Sequence, residues 1–330
     1  MNIICMPCFP IDTVIAVARN KYCRDDIPEM KDCILQITDG LDIINSDWGL
    51  CDALFQKMNF ALPEIEKMSL YDLKYALPEA MTVNKFILPS KRDVEIALNR
   101  LIESDYTDLW NRLCLPLLKS RCEVFMDKLK NVNMDILIGD INLTRPEKIN
   151  DITVYLSYFM EGGIGLCGGV SAISYKLVNV NLMIHELLHG FINDEAAQLY
   201  DYICQNDEFQ KKTRRHLSNR WGSGGSEEEF VIAMEHYISV KNGIETFEQS
   251  KKRLYNECEQ SVPLAVIIFH ELINESAAPE NYNEWLVNRL KTIIDCGDVQ
   301  NQVDEIYSGY SKSFLRYYNK YKESKRIEQP

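Results

Sequence analysis

From Ile11 to about Lys130, apolar residues recur at three- and four-residue intervals, the repeat of helices with one face turned to a core. Leu62-Pro63, Leu77-Pro78 and Leu88-Pro89 punctuate this stretch, because proline lacks the N–H that a continuing helix needs. The pattern predicts a helical N-terminal region over residues 1–130. Beyond it the period changes. Met134–Gly139, Ile152–Phe159 and Val170–Tyr175 are rich in β-branched and aromatic residues, which suit a pleated surface, so three strands are expected. Helical spacing returns around His185 and continues through Glu195–Cys204, Glu227–Val240, Pro263–Asn274, Asn283–Ile294 and Val303–Tyr321. The expected class is α+β, with a small mixed sheet over one helix. A helical region (1–130) precedes a second domain (131–330) whose C-terminal half is helical.

Composition narrows the partners more than the fold. With 46% apolar residues in 330, the chain can build one large core or two ordinary ones. A net charge of −13 argues against nucleic acid or an anionic membrane as partner, since either attracts a basic surface. The basic stretch Lys312–Arg326 is the local exception and reads as a solvated helix face. The first twenty residues lack the basic start and long apolar run of a signal peptide, and Val262–Phe269 is too short to span a bilayer. Eleven cysteines, odd in number and irregular in spacing, suit reduced thiols, so a cytoplasmic location is expected. Cys5-x-x-Cys8 has no second pair nearby and does not complete a zinc motif.

One stretch states a chemistry. His185-Glu186-Leu187-Leu188-His189 puts two imidazoles one helical turn apart, so both can face one ion, and sets a carboxylate between them. Histidines that merely pack in a helix are the competing explanation. Leu182, Met183, Ile184, Leu187, Leu188, Phe191 and Ile192 surround the pair and predict a buried helix, in which unpartnered imidazoles are costly unless a metal binds them. Catalytic zinc takes three protein ligands and keeps a position for water. A histidine six residues after His189 is excluded, because Glu195 stands there and Ile192 replaces the glycine of that signature. The run Glu227-Glu228-Glu229 offers the alternative. On a helix starting at Ser226, Glu229 completes a Ser-x-x-Glu capping box and lies opposite the apolar stripe of Phe230, Val231, Met234, Tyr237 and Ile238. Glu227 points nearest the core centre, and Glu228 lies on the flank, where a side chain reaches a neighbour. Glu228 is therefore the expected third ligand, with Glu227 and Glu229 as the alternatives.

Over roughly residues 131–245 this layout resembles the gluzincin branch of the zincin metallopeptidases, to which thermolysin and anthrax lethal factor belong. Glu228 matches the family glutamate through Phe230, two residues on, and Ala233 and Met234, five and six on. The resemblance implies a zincin-like fold, in which a strand edge aligns an extended peptide or protein substrate beside the motif helix. It also implies one zinc per chain, held by His185, His189 and Glu228, and peptide-bond hydrolysis by a metal-activated water with Glu186 as general base. The chain departs from the family at Ile232, where several members keep an acidic residue, and at Trp221, where a lethal-factor-like alignment seeks a tyrosine. Trp221, His236 and Tyr237 are candidate oxyanion donors that sequence does not rank. The alternative is a catalytically inactive zincin-like domain, a metal-stabilised binding module, for which Glu186 would be dispensable.

Gly163-Ile-Gly165-Leu-Cys-Gly168 also fits the glycine pattern of dinucleotide sites. That pattern needs a helix opening after it. Here Gly169 and a strand-like segment follow, so a hairpin connection is expected instead.

Overall fold

The computed structural model describes residues 2–308 apart from 20–26, 44–45, 58–61, 82–87, 146, 167, 190–192, 222–224, 258–261 and 276–277. In chain order its elements begin with β1 (Asn2–Pro7), α1 (Phe9–Ala18), α2 (Pro28–Thr38), α3 (Asp47–Lys57), α4 (Leu62–Glu66), α5 (Leu70–Ala80) and α6 (Lys91–Glu103). There follow α7 (Tyr106–Leu109), α8 (Leu115–Lys128), α9 (Met134–Ile141), β2 (Asp151–Ser157), β3 (Gly163–Gly165), β4 (Val170–Ser174) and α10 (Val180–Leu188). The remainder is helical: α11 (Asp194–Asn206), α12 (Glu208–Trp221), α13 (Gly225–Lys241), α14 (Phe247–Glu257), α15 (Pro263–Asn274), α16 (Tyr282–Cys296) and α17 (Val299–Tyr307). The chain is α+β, as expected, and the part of the Val303–Tyr321 helix beyond 308 lies outside the described residues, as does the basic stretch Lys312–Arg326. Among the described residues no helix is long and apolar enough to cross a membrane.

The chain divides into two compact units, Met1–Met134 with Ile149–Leu187, and Asp135–Lys148 with Leu188–Pro330. The first holds a four-stranded mixed sheet in the order β1-β2-β4-β3. β1, β2 and β4 run parallel, with Ile3 opposite Ile152 and Tyr155 opposite Ala172, while β3 pairs antiparallel with β4 through Ile164 and Ala172. β2 is central and buried from Val154 to Ser157, which is why it reads as a nearly continuous apolar run. Two of the three expected strands are present. Met134–Gly139 instead belongs to α9, with Leu137, Ile138 and Ile141 buried and Ile136 exposed, the spacing of a helix face. β1 and β3 were not expected from their composition.

Asp12, on the first turn of α1, ties that helix to the end of β2. Its carboxylate is fully buried and accepts from Trp110 Nε1 at 2.7 Å, Ser157 Oγ at 2.5 Å and the Tyr158 amide at 2.9 Å. Burial pushes its pKa up to about 6, against the lowering effect of those donors.

The second unit is a helical assembly organised around α13. Every residue from Glu229 to Ser239 is buried, so this helix has no solvent face and no single apolar stripe. Asp140 anchors its C-terminal end, accepting from Lys241 Nζ at 2.6 Å and Asn242 Nδ2 at 2.8 Å. Asp207 joins two helix starts, accepting from the Gln210 amide of α12 and the Val299 amide of α17.

Candidate metal centre

The aim of α10 is set by the turn before it. Val178 is buried and takes φ +38°, a conformation that a β-branched residue rarely adopts and that costs about 1–3 kcal/mol. Lys128 Nζ donates to the Val178 carbonyl at 2.5 Å, and Arg121 Nε donates to the Tyr175 carbonyl at 3.0 Å, so two cations of α8 hold the turn in place. Asn179 then starts the helix, its side-chain oxygen accepting from the Asn181 amide at 3.0 Å. Thus the polar pair Arg121 and Lys128, unremarkable on a helix surface, fixes where the motif points.

β3 runs against α10 at Glu186. A Cβ added at Gly163 would lie 2.5 Å from Glu186 Oε1, and one at Gly165 would overlap the Glu186 carbonyl oxygen. Only glycine allows the strand to approach the helix this closely. Glu186 is 8% exposed beneath this strand. Ser174 donates its amide to the Gly162 carbonyl, and Leu166 donates its amide to the Val170 carbonyl, so alternate residues 162, 164 and 166 face β4. By the alternation of an antiparallel ladder, the N–H and C=O of Gly163 and Gly165 then point to the free edge. The glycine pattern is thus a hairpin with a tight reverse at Gly168 and Gly169, both at positive φ, and β4 follows it where a dinucleotide site needs a helix.

His189 stands just beyond the last turn of α10. Its Nε2 lies 3.6 Å from Glu228 Oε1 and its Nδ1 lies 3.5 Å from Glu227 Oε2. Ligand atoms of His185, His189 and Glu228 all fall within 4.8 Å of one another. The three residues expected as ligands are therefore brought together.

The helix-wheel expectation for the neighbouring glutamates is overturned. α13 begins at Gly225, so Ser226 lies inside it and is not its cap, and burial of every residue from Glu229 to Ser239 leaves no single stripe from which to orient the wheel. Glu229 is not a solvent-side capping partner but fully buried, accepting from Tyr200 Oη at 3.1 Å, from Gln210 Nε2 and from the Leu264 amide at 2.7 Å. It reaches the start of α15, and burial pushes its carboxyl up to about 7. Glu227 does not point to the core centre either, being 25% exposed against 12% for Glu228.

Of the candidate oxyanion donors, His236 is buried and committed elsewhere, with Nδ1 2.5 Å from Ser250 Oγ and 3.3 Å from Arg253 Nη2. Tyr237 lies toward the C-terminal end of α13, with Lys241 Nζ 5.9 Å from its ring centre. The Trp221 side chain lies outside the described residues.

Two imidazoles and a carboxylate are a donor set that suits zinc. Donors about 2.0–2.1 Å from a tetrahedral ion stand roughly 3.4 Å apart, and the His189–Glu228 separation of 3.6 Å is close to that. Comparisons of the chain with protein-family models, with curated proteins and with solved structures found no match.

Proposed function

We propose that this chain is a zinc-dependent peptidase with a zincin-like catalytic region, in which His185, His189 and Glu228 hold the metal. The observation that carries this is the convergence of those three donors, with the carboxylate between the histidines packed under an antiparallel edge strand. When bound, the ion supplies a Lewis acid that polarises a carbonyl and acidifies water. Glu186 is the residue that takes the proton from water and returns it to the departing amine. The roof of β3 over Glu186 restricts water around its carboxylate. The free-edge amides and carbonyls of Gly163 and Gly165 suit an extended peptide laid alongside, and glycine leaves no side chain to obstruct it. A negatively charged chain with such an edge favours neutral or basic peptides over nucleic acid.

The test is metal content beside cleavage of a mixed peptide library. Wild type is expected to carry about one zinc and to cleave. Glu186→Gln is expected to keep the zinc and lose cleavage, because the amide cannot accept the proton. Absence of zinc uptake sinks the proposal. The 8% exposure of Glu186 favours one second reading, a metal-stabilised binding module, and bound zinc without cleavage by either protein would select it.

A further inference from the structure

We infer that Glu227 is a positioning residue that sets the tautomer and ring orientation of His189, an inference that rests on the metal reading above. A metal-binding histidine offers one ring nitrogen to the ion and donates from the other, and a carboxylate on that second nitrogen fixes the ring and raises its basicity. His189 has a carboxylate on each side: Glu228 Oε1 3.6 Å from Nε2 and Glu227 Oε2 3.5 Å from Nδ1. Glu228 belongs to the cluster of three that converges with His185, and Glu227 does not. With Glu228 taken up as a ligand to the ion, the carboxylate of Glu227 remains as an acceptor for Nδ1–H, so in the loaded site the proton belongs on Nδ1 and the Nε2 lone pair is left for the ion. At 3.5 Å a small rotamer change brings Glu227 to hydrogen-bond length.

Neighbouring helix positions make this division of labour possible. Consecutive residues are turned by about 100°, so Glu227 and Glu228 straddle the ring rather than share one side of it. The place four residues after Glu228, the nearest alternative on the same helix face, holds Ile232, which is buried and has no acceptor. Glu229 is consumed by Tyr200, Gln210 and the start of α15. Among the three consecutive glutamates, then, one binds, one orients and one builds the core.

The experiment measures zinc affinity by competition with a chromophoric chelator, and the His189 tautomer by nitrogen-15 spectra of zinc-loaded protein labelled at histidine. Wild type is expected to show the Nδ1–H form. Glu227→Leu, which keeps size but offers no acceptor, is expected to lose that form and weaken zinc by about 10- to 100-fold. Glu227→Gln keeps an acceptor oxygen and is expected to recover most of the affinity. In a His189→Ala background, Glu227→Leu should have little further effect. Equal weakening in both backgrounds would mean that Glu227 acts as a distant charge, and unchanged affinity in Glu227→Leu would mean that it does nothing; either overturns the inference while leaving the metal site standing. A wild type that binds no zinc removes the metal reading and this inference together.

Discussion

Gly165 and Glu186 are in backbone contact: the strand residue sits where any Cβ would overlap the helix carbonyl. Gly163, two residues earlier on the same strand face, meets the Glu186 side chain from Cγ to Oε1 and not its backbone carbonyl. The two glycines therefore protect different things. Gly165→Ala must push strand and helix apart and is expected to cost about 2 kcal/mol or more, read as a lower urea midpoint. Gly163→Ala requires the Glu186 side chain to swing to another rotamer but leaves the backbones where they are, so it should cost less stability than Gly165→Ala and reduce cleavage at least tenfold. If Gly163→Ala loses equal stability when Glu186 is alanine, the carboxylate is not what it meets.

Glu228 and Glu229 separate in the opposite sense. Glu228→Ala should remove most bound zinc with little change in the metal-free melting temperature, because it is a partly exposed side chain that lies 3.6 Å from His189 Nε2. Glu229→Ala strands a buried amide, a tyrosine hydroxyl and a glutamine, at about 1–3 kcal/mol for each group left unsatisfied. Zinc per folded molecule should stay near wild type. The reverse pattern in a paired melting and metal measurement would show that the assignment is wrong.

Asp12 makes stability depend on pH. Its carboxyl is pushed from 3.8 up to about 6 in the fold, so folding favours the protonated form. Its contribution is complete below about pH 4 and is lost as pH rises through 6, by on the order of 2–3 kcal/mol. Urea titrations of wild type and Asp12→Asn from pH 4 to 7 should show the difference between them shrinking with pH. Glu229, pushed up to about 7, retains a slope of the same sign in the variant. A pH-independent difference would rule out Asp12 as its source.

The turn before α10 gives a coupled pair. Lys128→Met removes the donor to the Val178 carbonyl and should cost about 1 kcal/mol. With Val178→Gly the positive φ no longer carries strain, so the loss from Lys128→Met should shrink. Identical losses in the two backgrounds would show that clamp and strain are independent.

The parts legible in the sequence are those whose cause is local. Two histidines four apart declare a shared face by themselves, and Pro263–Asn274 has proline at its start and an apolar body, so α15 is read correctly to the residue. β2 and β4 announce themselves by β-branched residues. Where the cause is distant, pattern fails. β3 is Gly-Ile-Gly, poor strand material, and is a strand because β4 pairs with it and Glu186 leaves room for nothing larger. Met134–Ile141 is an apolar run short enough to suit either structure. The wheel for α13 presumed one apolar stripe, but a helix buried on all sides has none, and Glu229 was turned outward as a result. Glu227 reads in the sequence as an alternative ligand pointing to the core centre, and nothing there indicates that it stands on the Nδ1 side of His189.

The register of β1 on β2 has a consequence for how the chain reaches this state. Asn2 donates its amide to Asp151 across a separation of 149 residues, and the whole parallel ladder of β1 depends on a strand made long after it. Closing so long a loop is entropically slow, and parallel pairs cannot be nucleated by a tight turn. The helices α1 to α8 can form from local contacts while residues 2–7 wait without a partner. During that interval the apolar edge of β2, once made, is open to any passing strand. Docking of β1 is thus expected to be a late step of folding, and the interval before it is when the chain is most exposed to aggregation.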